Sequence, residues 1–171
     1  MSPDPTDPPV PPAAVRRVQA AFAALGCSAE PRPLSEVRDR LTEADRESVA
    51  TSHLFHARDR HWLVLVRSGR AVDPVNLSSI LGEMAVTELD EAAAEQWTGQ
   101  LPGGIAPVAT AEPSTVILDV DLARFTRIWI PAGHPGWVLP TNYAQLLQIT
   151  AGSAAEVGEL PSRPRPPTTQ P

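Results

Sequence analysis

Two short segments carry residue types from which a main-chain binding site could be built. The first, TGQLPGGIAPVA at residues 98–109, has adjacent glycines, Gly103 and Gly104, between Pro102 and Pro107, and it contains no charge. Glycine adopts backbone angles that other residues avoid and lets another group approach the main chain closely. Such a loop can present N–H groups to a ligand oxygen. The alternative is a tight, half-buried connection between a helix and a strand.

The second segment, IWIPAGHPGWVL at residues 128–139, resembles the first in composition. A strand runs into the small-residue turn of Ala132, Gly133 and His134, which exposes one imidazole. By itself this is a turn with a surface histidine. Together, two uncharged, glycine-containing loops that each follow a regular element suit a pocket for a small aminoacyl group.

Other catalytic patterns are absent from the sequence. The four histidines are scattered, and His53 and His56, three apart in a predicted strand, point to opposite faces. There is no HExxH, P-loop or nucleophile-elbow pattern. The single Cys27 excludes an internal disulfide and a cysteine-based zinc site. We expect no metal and no cofactor, and we assign the four tryptophans to the core rather than to base stacking.

Composition narrows the function classes further. All 14 basic residues are arginine, so no lysine can act as a base, Schiff-base nucleophile or phosphate clamp. The net charge of −6 argues against DNA binding or general nucleic-acid coating, but it leaves room for a local basic patch that grips one RNA end. No apolar run approaches the ~20 residues of a membrane span, and the first residues do not resemble a signal peptide. We therefore expect a cytoplasmic protein that binds no membrane.

The elements that must position these loops follow from periodicity, caps and turn residues. Helices are predicted at 13–25, 35–47, 74–81 after an Asp73 cap, 91–97 after Asp90, 121–125 and 142–150 after a Thr141 cap, with Gly82 and Gly152 as end signals. Strands are predicted at 49–57 and 61–67, joined as a hairpin, and at 114–118, 127–130 and 137–139. This mixture without regular βαβ alternation predicts one compact α+β domain with a mixed, mostly antiparallel sheet flanked by helices.

The proline content divides the chain into three parts. Six of the first 12 residues and five of the last 11 are proline. Such segments form neither a helix nor a sheet ladder, so 1–12 and 161–171 are predicted to be disordered tails around a folded body at 13–160.

The order of four motifs resembles the YbaK/prolyl-tRNA editing-domain family. These motifs are TG–x3–GGIAP, TVILD, IWIPAGHPG and a helix ending LLQIT. The resemblance covers about residues 13–158 and is strongest at 97–150. It implies a compact α/β domain around a mixed, barrel-like sheet. It also implies hydrolysis of amino acids wrongly attached to tRNA, chiefly tRNA for proline, with the 3′ end of aminoacyl-tRNA as substrate and a prolyl-tRNA synthetase or other tRNA-using enzyme as partner.

The resemblance also implies the site residues. The main chain around Gly104 would bind the ester carbonyl, so a β-carbon there is expected to intrude where the ester lies. The rest of the site comes from the two loops, at Gly103, Ile105, Ala106, Pro107, Ala132, Gly133 and His134.

Three positions depart from the family pattern. The family lysine that opens the first central strand aligns with Thr51, which we therefore place in the catalytic site. Pro131 and Val138 replace the serine and aspartate of the cysteinyl-tRNA editors, so cysteine specificity is not implied.

Two functions remain open. In the first, a free-standing deacylase uses water activated by the tRNA's own terminal hydroxyl, with Thr51 and His134 orienting the substrate. In the second, a weakened or inactive module binds aminoacyl-tRNA or a related aminoacyl ligand.

Overall fold

The helices of the computed structural model are short and surround two sheets. Residues 9–159 are described, so the tails predicted at 1–12 and 161–171 lie mostly or wholly outside them, and their disorder stays a prediction. The α-helices are α1 (Ala13–Ala24), α2 (Leu34–Arg40), α3 (Pro74–Leu81), α4 (Glu91–Thr98) and α5 (Tyr143–Thr150). Two 3₁₀ helices cover Ala44–Ser48 and Val120–Arg124.

Among residues 9–159, eight strands form two sheets. They are β1 (Arg32–Pro33), β2 (Ala50–Ala57), β3 (Arg60–Arg67), β4 (Thr87–Glu88), β5 (Thr115–Asp119), β6 (Ile128–Pro131), β7 (Trp137–Thr141) and β8 (Ser153–Ala155). The first sheet has the order β1-β7-β6 and is antiparallel. In the second, β4-β2-β3-β5-β8, the β3–β5 and β5–β8 pairs are parallel. The mixed α+β prediction is confirmed.

The expected barrel-like closure is wrong. Neither sheet closes on itself: the outer strands are β1 and β6 in the first sheet and β4 and β8 in the second. Among residues 9–159, one parallel β-bridge links the two sheets, between Val49, just before β2, and Trp129 of β6. This bridge brings the start of β2 close to the strand that leads into the second glycine segment.

The two faces of the β2–β3 hairpin pack against different cores, because side chains alternate along a strand. Leu54 and Leu65 belong to the larger cluster, which also contains the buried face of α1. Phe55 and Val64 belong to a second cluster that includes Leu77 of α3. The alternation therefore decides which residues of β2 can reach the glycine segments.

Three helix boundaries were predictable from caps. The Asp73 carboxylate accepts hydrogen bonds from the N–H groups of Val75 and Asn76, and Gly82 ends α3 in the left-handed conformation. The Asp90 carboxylate caps α4 in the same way.

Three boundaries were predicted wrongly. The helix predicted at 35–47 ends at Arg40, because Leu41 is extended. Thr141 is the last residue of β7, and the side chain of Asn142 caps α5 instead. That helix ends at Ala151 in the left-handed conformation rather than at Gly152.

Candidate functional site

The two glycine segments pack directly against each other. We call residues 99–108 the first glycine loop and residues 132–136 the second glycine loop. The Gly133 N–H donates a hydrogen bond of 2.6 Å to the Gly104 carbonyl. A β-carbon on Gly104 would lie 2.6 Å from the His134 Cα and 2.5 Å from the Pro135 nitrogen. The loops are thus in backbone-to-backbone contact, which only glycine permits at position 104.

This contact changes the explanation for Gly104. The expectation that a β-carbon there would enter the ligand's space is wrong, because it would enter the backbone of the second glycine loop. The Gly104 N–H donates to the Leu101 carbonyl at 3.0 Å. A main-chain N–H carries one proton, so binding of an ester by Gly104 stays a prediction that requires this turn bond to open.

Helix α1 packs against the second glycine loop. Gly133 has a φ of +86°, and a β-carbon there would lie 2.9 Å from the Val18 side chain. Within the loop, the Gly136 N–H donates to His134 Nδ1 at 3.0 Å. This bond assigns the proton of the neutral imidazole to Nε2, which leaves a side-chain donor on the partly exposed ring.

Two polar side chains that were not among the predicted site residues hold the first glycine loop in place. The buried Gln100 accepts from the Ala106 N–H at 2.8 Å and donates to the Val108 carbonyl at 2.9 Å. Ser52 of β2 donates to the Ile105 carbonyl at 2.7 Å. Gln100 carries the single amide side chain of the uncharged segment, a signal that could have identified it. Ser52 had no such signal, because its partner lies 53 residues away.

Thr51 lies apart from this group. It pairs with Val66 of β3, whose side chain belongs to the second core cluster, whereas Ser52 pairs with Leu65 on the opposite face. A shift of one residue along a strand exchanges the two faces. The structure therefore does not bring Thr51 to the glycine loops, and Ser52 is the β2 residue that reaches them.

Of the remaining predicted site residues, some are buried and others are exposed to solvent. The side chains of Ile105, Ala106 and Ala132 belong to the larger core cluster, and Pro107 is also buried. They support the loops from within. Gly103 is exposed and His134 is partly exposed.

Three main-chain donors at the junction are unpaired. Among residues 9–159, the N–H groups of Gly103, Ile105 and His134 have no hydrogen-bond partner. Each belongs to a residue next to Gly104 or Gly133, whose hydrogen bond joins the two loops. They are the free donors that an incoming carbonyl oxygen could use.

The face of the hairpin that carries Ser52 also carries a pair of imidazoles further along. His56 and His61 are cross-strand neighbours, and the His61 ring stacks on Trp97 with centroids 3.4 Å apart. Burial, and secondarily the neighbouring His56, lower the pKa of His61 below its usual value. His53 lies on the other face, where its Nδ1 is 2.7 Å from a Glu88 carboxylate oxygen, so the predicted separation of His53 from His56 is confirmed.

Comparison with known proteins identifies the family. The family model described as the aminoacyl-tRNA editing domain matches residues 33–149, more than half of the chain. The chain belongs to this family. The matched region includes both glycine loops and Ser52, and membership supports a role in aminoacyl-tRNA editing.

The relatives agree with this assignment. The chain is 29% identical over 86 residues to the proline–tRNA ligase of Lactobacillus helveticus (strain DPC 4571), a match that covers 50% of this chain and 15% of the ligase. The chain thus spans a small part of that relative's length.

Two solved structures share the fold. A protein proposed to be a trans-editing enzyme for prolyl tRNA synthetase superposes with a TM-score of 0.78 at 22% identity, over 88% of this chain and 99% of that one. The hypothetical protein APE2540 gives 0.74 at 15% identity, over 84% and 99%. Among residues 9–159, no helix combines the length and the apolar character needed to span a membrane.

Proposed function

We propose that this chain is a free-standing deacylase that hydrolyses the ester of a wrongly charged aminoacyl-tRNA, with tRNA for proline as the first candidate. The observation that carries the proposal is the junction of the two glycine loops. There, an uncharged backbone surface holds the free N–H groups of Ile105 and His134 on adjoining loops. The relationship to a proline–tRNA ligase and the fold shared with a proposed trans-editing enzyme support tRNA for proline and action in trans.

The chemistry needs few side chains. Water adds to the ester carbonyl carbon, and the negative charge that develops on the carbonyl oxygen is stabilised by main-chain N–H donors. The bond to the tRNA ribose then breaks, and the ribose oxygen leaves with a proton from the water. Removal of one such donor typically costs about 10²–10³ in rate. The His134 Nε2–H would orient the substrate, and Gln100 and Ser52 would hold the donors in place.

A second candidate is a module that binds aminoacyl-tRNA without hydrolysing it. The observation in its favour is that a neutral serine, Ser52, occupies the β2 position that faces the first glycine loop. The resemblance led us to expect a lysine on this strand, and the chain has none. Without that cation, the loops would still bind the aminoacyl group, but the developing charge would be less stabilised.

Ester loss from a panel of aminoacyl-tRNAs separates the two candidates. We expect the protein to hydrolyse at least one wrongly charged tRNA for proline, and His134→Ala to slow this reaction. Retained binding without turnover on any member of the panel would support the second candidate instead.

A matched pair of variants tests which β2 residue belongs to the site. We expect Ser52→Lys to change turnover and binding, because its side chain faces the loops and its hydroxyl bond to the Ile105 carbonyl is replaced by a cation, and Thr51→Lys to leave both unchanged, because it faces the second core cluster. Melting curves verify that both variants fold. The opposite result would restore Thr51 to the site.

A further inference from the structure

A second surface lies next to the glycine loops and uses different residue types. A cavity of about 710 Å³ opens between β1 and α2 on one side and the segment from Arg124 to Trp129 on the other. We call it the arginine groove. Four of its lining residues are arginines, namely Arg32, Arg40, Arg124 and Arg127, and its carboxylates are Glu36 and Asp45. Its wall therefore carries a net positive charge, although the net charge of the whole chain is −6.

Most of these guanidinium groups have no ion-pair partner in the described part of the chain. Among residues 9–159, Arg32, Arg40 and Arg127 form neither an ion pair nor a side-chain hydrogen bond. Arg124 has one distant contact, 3.8 Å from Glu47. All four arginines are exposed. Unpaired guanidinium groups on one concave wall are suited to phosphate, which they bind through paired N–H donors.

The groove also contains aromatic surface at its arginine-rich end. Arg127 lies over the Trp129 ring at 5.9 Å from the ring centroid, and Arg124 lies over Phe125 at 5.3 Å. Both aromatic side chains are only partly buried. Interleaved cations and aromatic rings are the pattern by which proteins bind an RNA strand, with phosphates on the cations and bases on flat surfaces.

The groove lies beside the strands that flank the second glycine loop. Arg32 pairs with Val138 at the start of β7, and the neighbouring Leu34 N–H donates to the Gly136 carbonyl of the second glycine loop at 2.8 Å. At the other end, Trp129 belongs to β6, the strand that leads into that same loop. An RNA strand lying in the groove would thus run alongside the β-strands that carry the second glycine loop.

We propose that the arginine groove binds the phosphate backbone of the RNA strand whose aminoacylated end lies at the glycine loops. This inference rests on the proposed function for the identity of the RNA. It assigns the contacts to Arg124 and Arg127 at one end of the groove and to Arg40 and Arg32 towards the loops.

The test measures binding of unacylated RNA, so that it does not depend on hydrolysis. The full chain is titrated into a fluorescent RNA hairpin with a single-stranded 3′ end, at several salt concentrations. Arg124→Gln/Arg127→Gln is compared with a control, Arg38→Gln/Arg60→Gln, which removes two exposed arginines that do not line the groove. We expect the groove variant to bind at least about tenfold more weakly at low salt. The slope of log affinity against log salt should fall by about 1.4–1.8, as for two lost phosphate contacts, while the control changes less than about twofold.

The outcomes separate this inference from the proposed function. Equal weakening in both double variants, or no RNA binding by the wild type, would overturn the inference. So would full displacement of RNA by submillimolar inorganic phosphate, which would make the groove a small-anion site. If the groove variant loses RNA but the wild type hydrolyses no aminoacyl-tRNA, the inference stands and the deacylase proposal fails. If the wild type is active and the groove variant binds RNA normally, the deacylase proposal stands and the inference about the groove fails.

Discussion

Strand β6 connects two regions that depend on different kinds of interaction. At its end, the glycine loops are uncharged and are held by main-chain hydrogen bonds and close backbone contact. At its start, the arginine groove consists of exposed, mostly unpaired side chains. The comparison predicts that the loops are sensitive to the size of a single atom, whereas the groove is sensitive to charge and tolerant of shape.

Gly104→Ala should have the largest effect on stability. The added methyl group would overlap the backbone of His134 and Pro135, which cannot move without disturbing the second glycine loop. We expect a loss of about 3 kcal/mol in the free energy of unfolding, the upper end for overpacking. Denaturant titration measures it.

Gly82→Ala is the control for this substitution. Gly82 also has a positive φ, but nothing lies within 4 Å of its missing β-carbon, so a loss of about 1 kcal/mol is expected. Equal losses in the two variants would mean that the loops are not in the close contact described.

Gln100→Leu should cost somewhat less. The substitution keeps the volume but leaves the Ala106 N–H and the Val108 carbonyl without partners in a buried environment. We expect a loss of about 2 kcal/mol, together with reduced ester hydrolysis, because the first glycine loop loosens. Thermal melting and the deacylation assay measure the two effects. Unchanged activity in a destabilised variant would separate the loop's rigidity from its function.

Lowering the pH tests whether the face of the β2–β3 hairpin that carries His61 tolerates a positive charge. The folded-state pKa of His61 lies below its unfolded value near 6.5, so the unfolded chain binds more protons between these two values. The neutral His61 ring therefore contributes fully to the free energy of unfolding above pH 6.5. This contribution is lost as the pH falls from 6.5 towards the pKa of His61 in the folded state. In His61→Phe, which keeps an aromatic ring on Trp97, the stability should depend less on pH between 6.5 and 5. Identical pH profiles for the variant and the wild type would contradict this.

Arg127→Gln should change stability least. The Arg127 side chain is exposed and forms no ion pair, and the contact that it would lose is the one with the Trp129 ring. We therefore expect the free energy of unfolding to change by no more than about 0.5 kcal/mol. A large loss of stability would show that the groove is a structural element, and the contrast with the glycine loops would disappear.

Local features of the fold were predictable because neighbouring residues determine them. The Asp73 and Asp90 caps, the β2–β3 hairpin and the left-handed Gly82 each depend on a few consecutive residues. The errors were also local: an asparagine rather than the adjacent Thr141 caps α5, and nothing in the polar segment 35–47 indicated a stop at Arg40.

The sequence by itself determined the mixed α+β class and the two glycine segments, and through their motifs the editing family. Tertiary structure decided how the site is assembled. Strand register places Ser52, and not Thr51, at the first glycine loop, and a one-residue shift cannot be read from composition. Backbone contact between segments about 30 residues apart explains Gly104. The arginine groove is lined by residues from 32–48 and from 124–129. No local sequence pattern indicates that these two segments are close in space, because their proximity follows from the pairing of β1, β6 and β7.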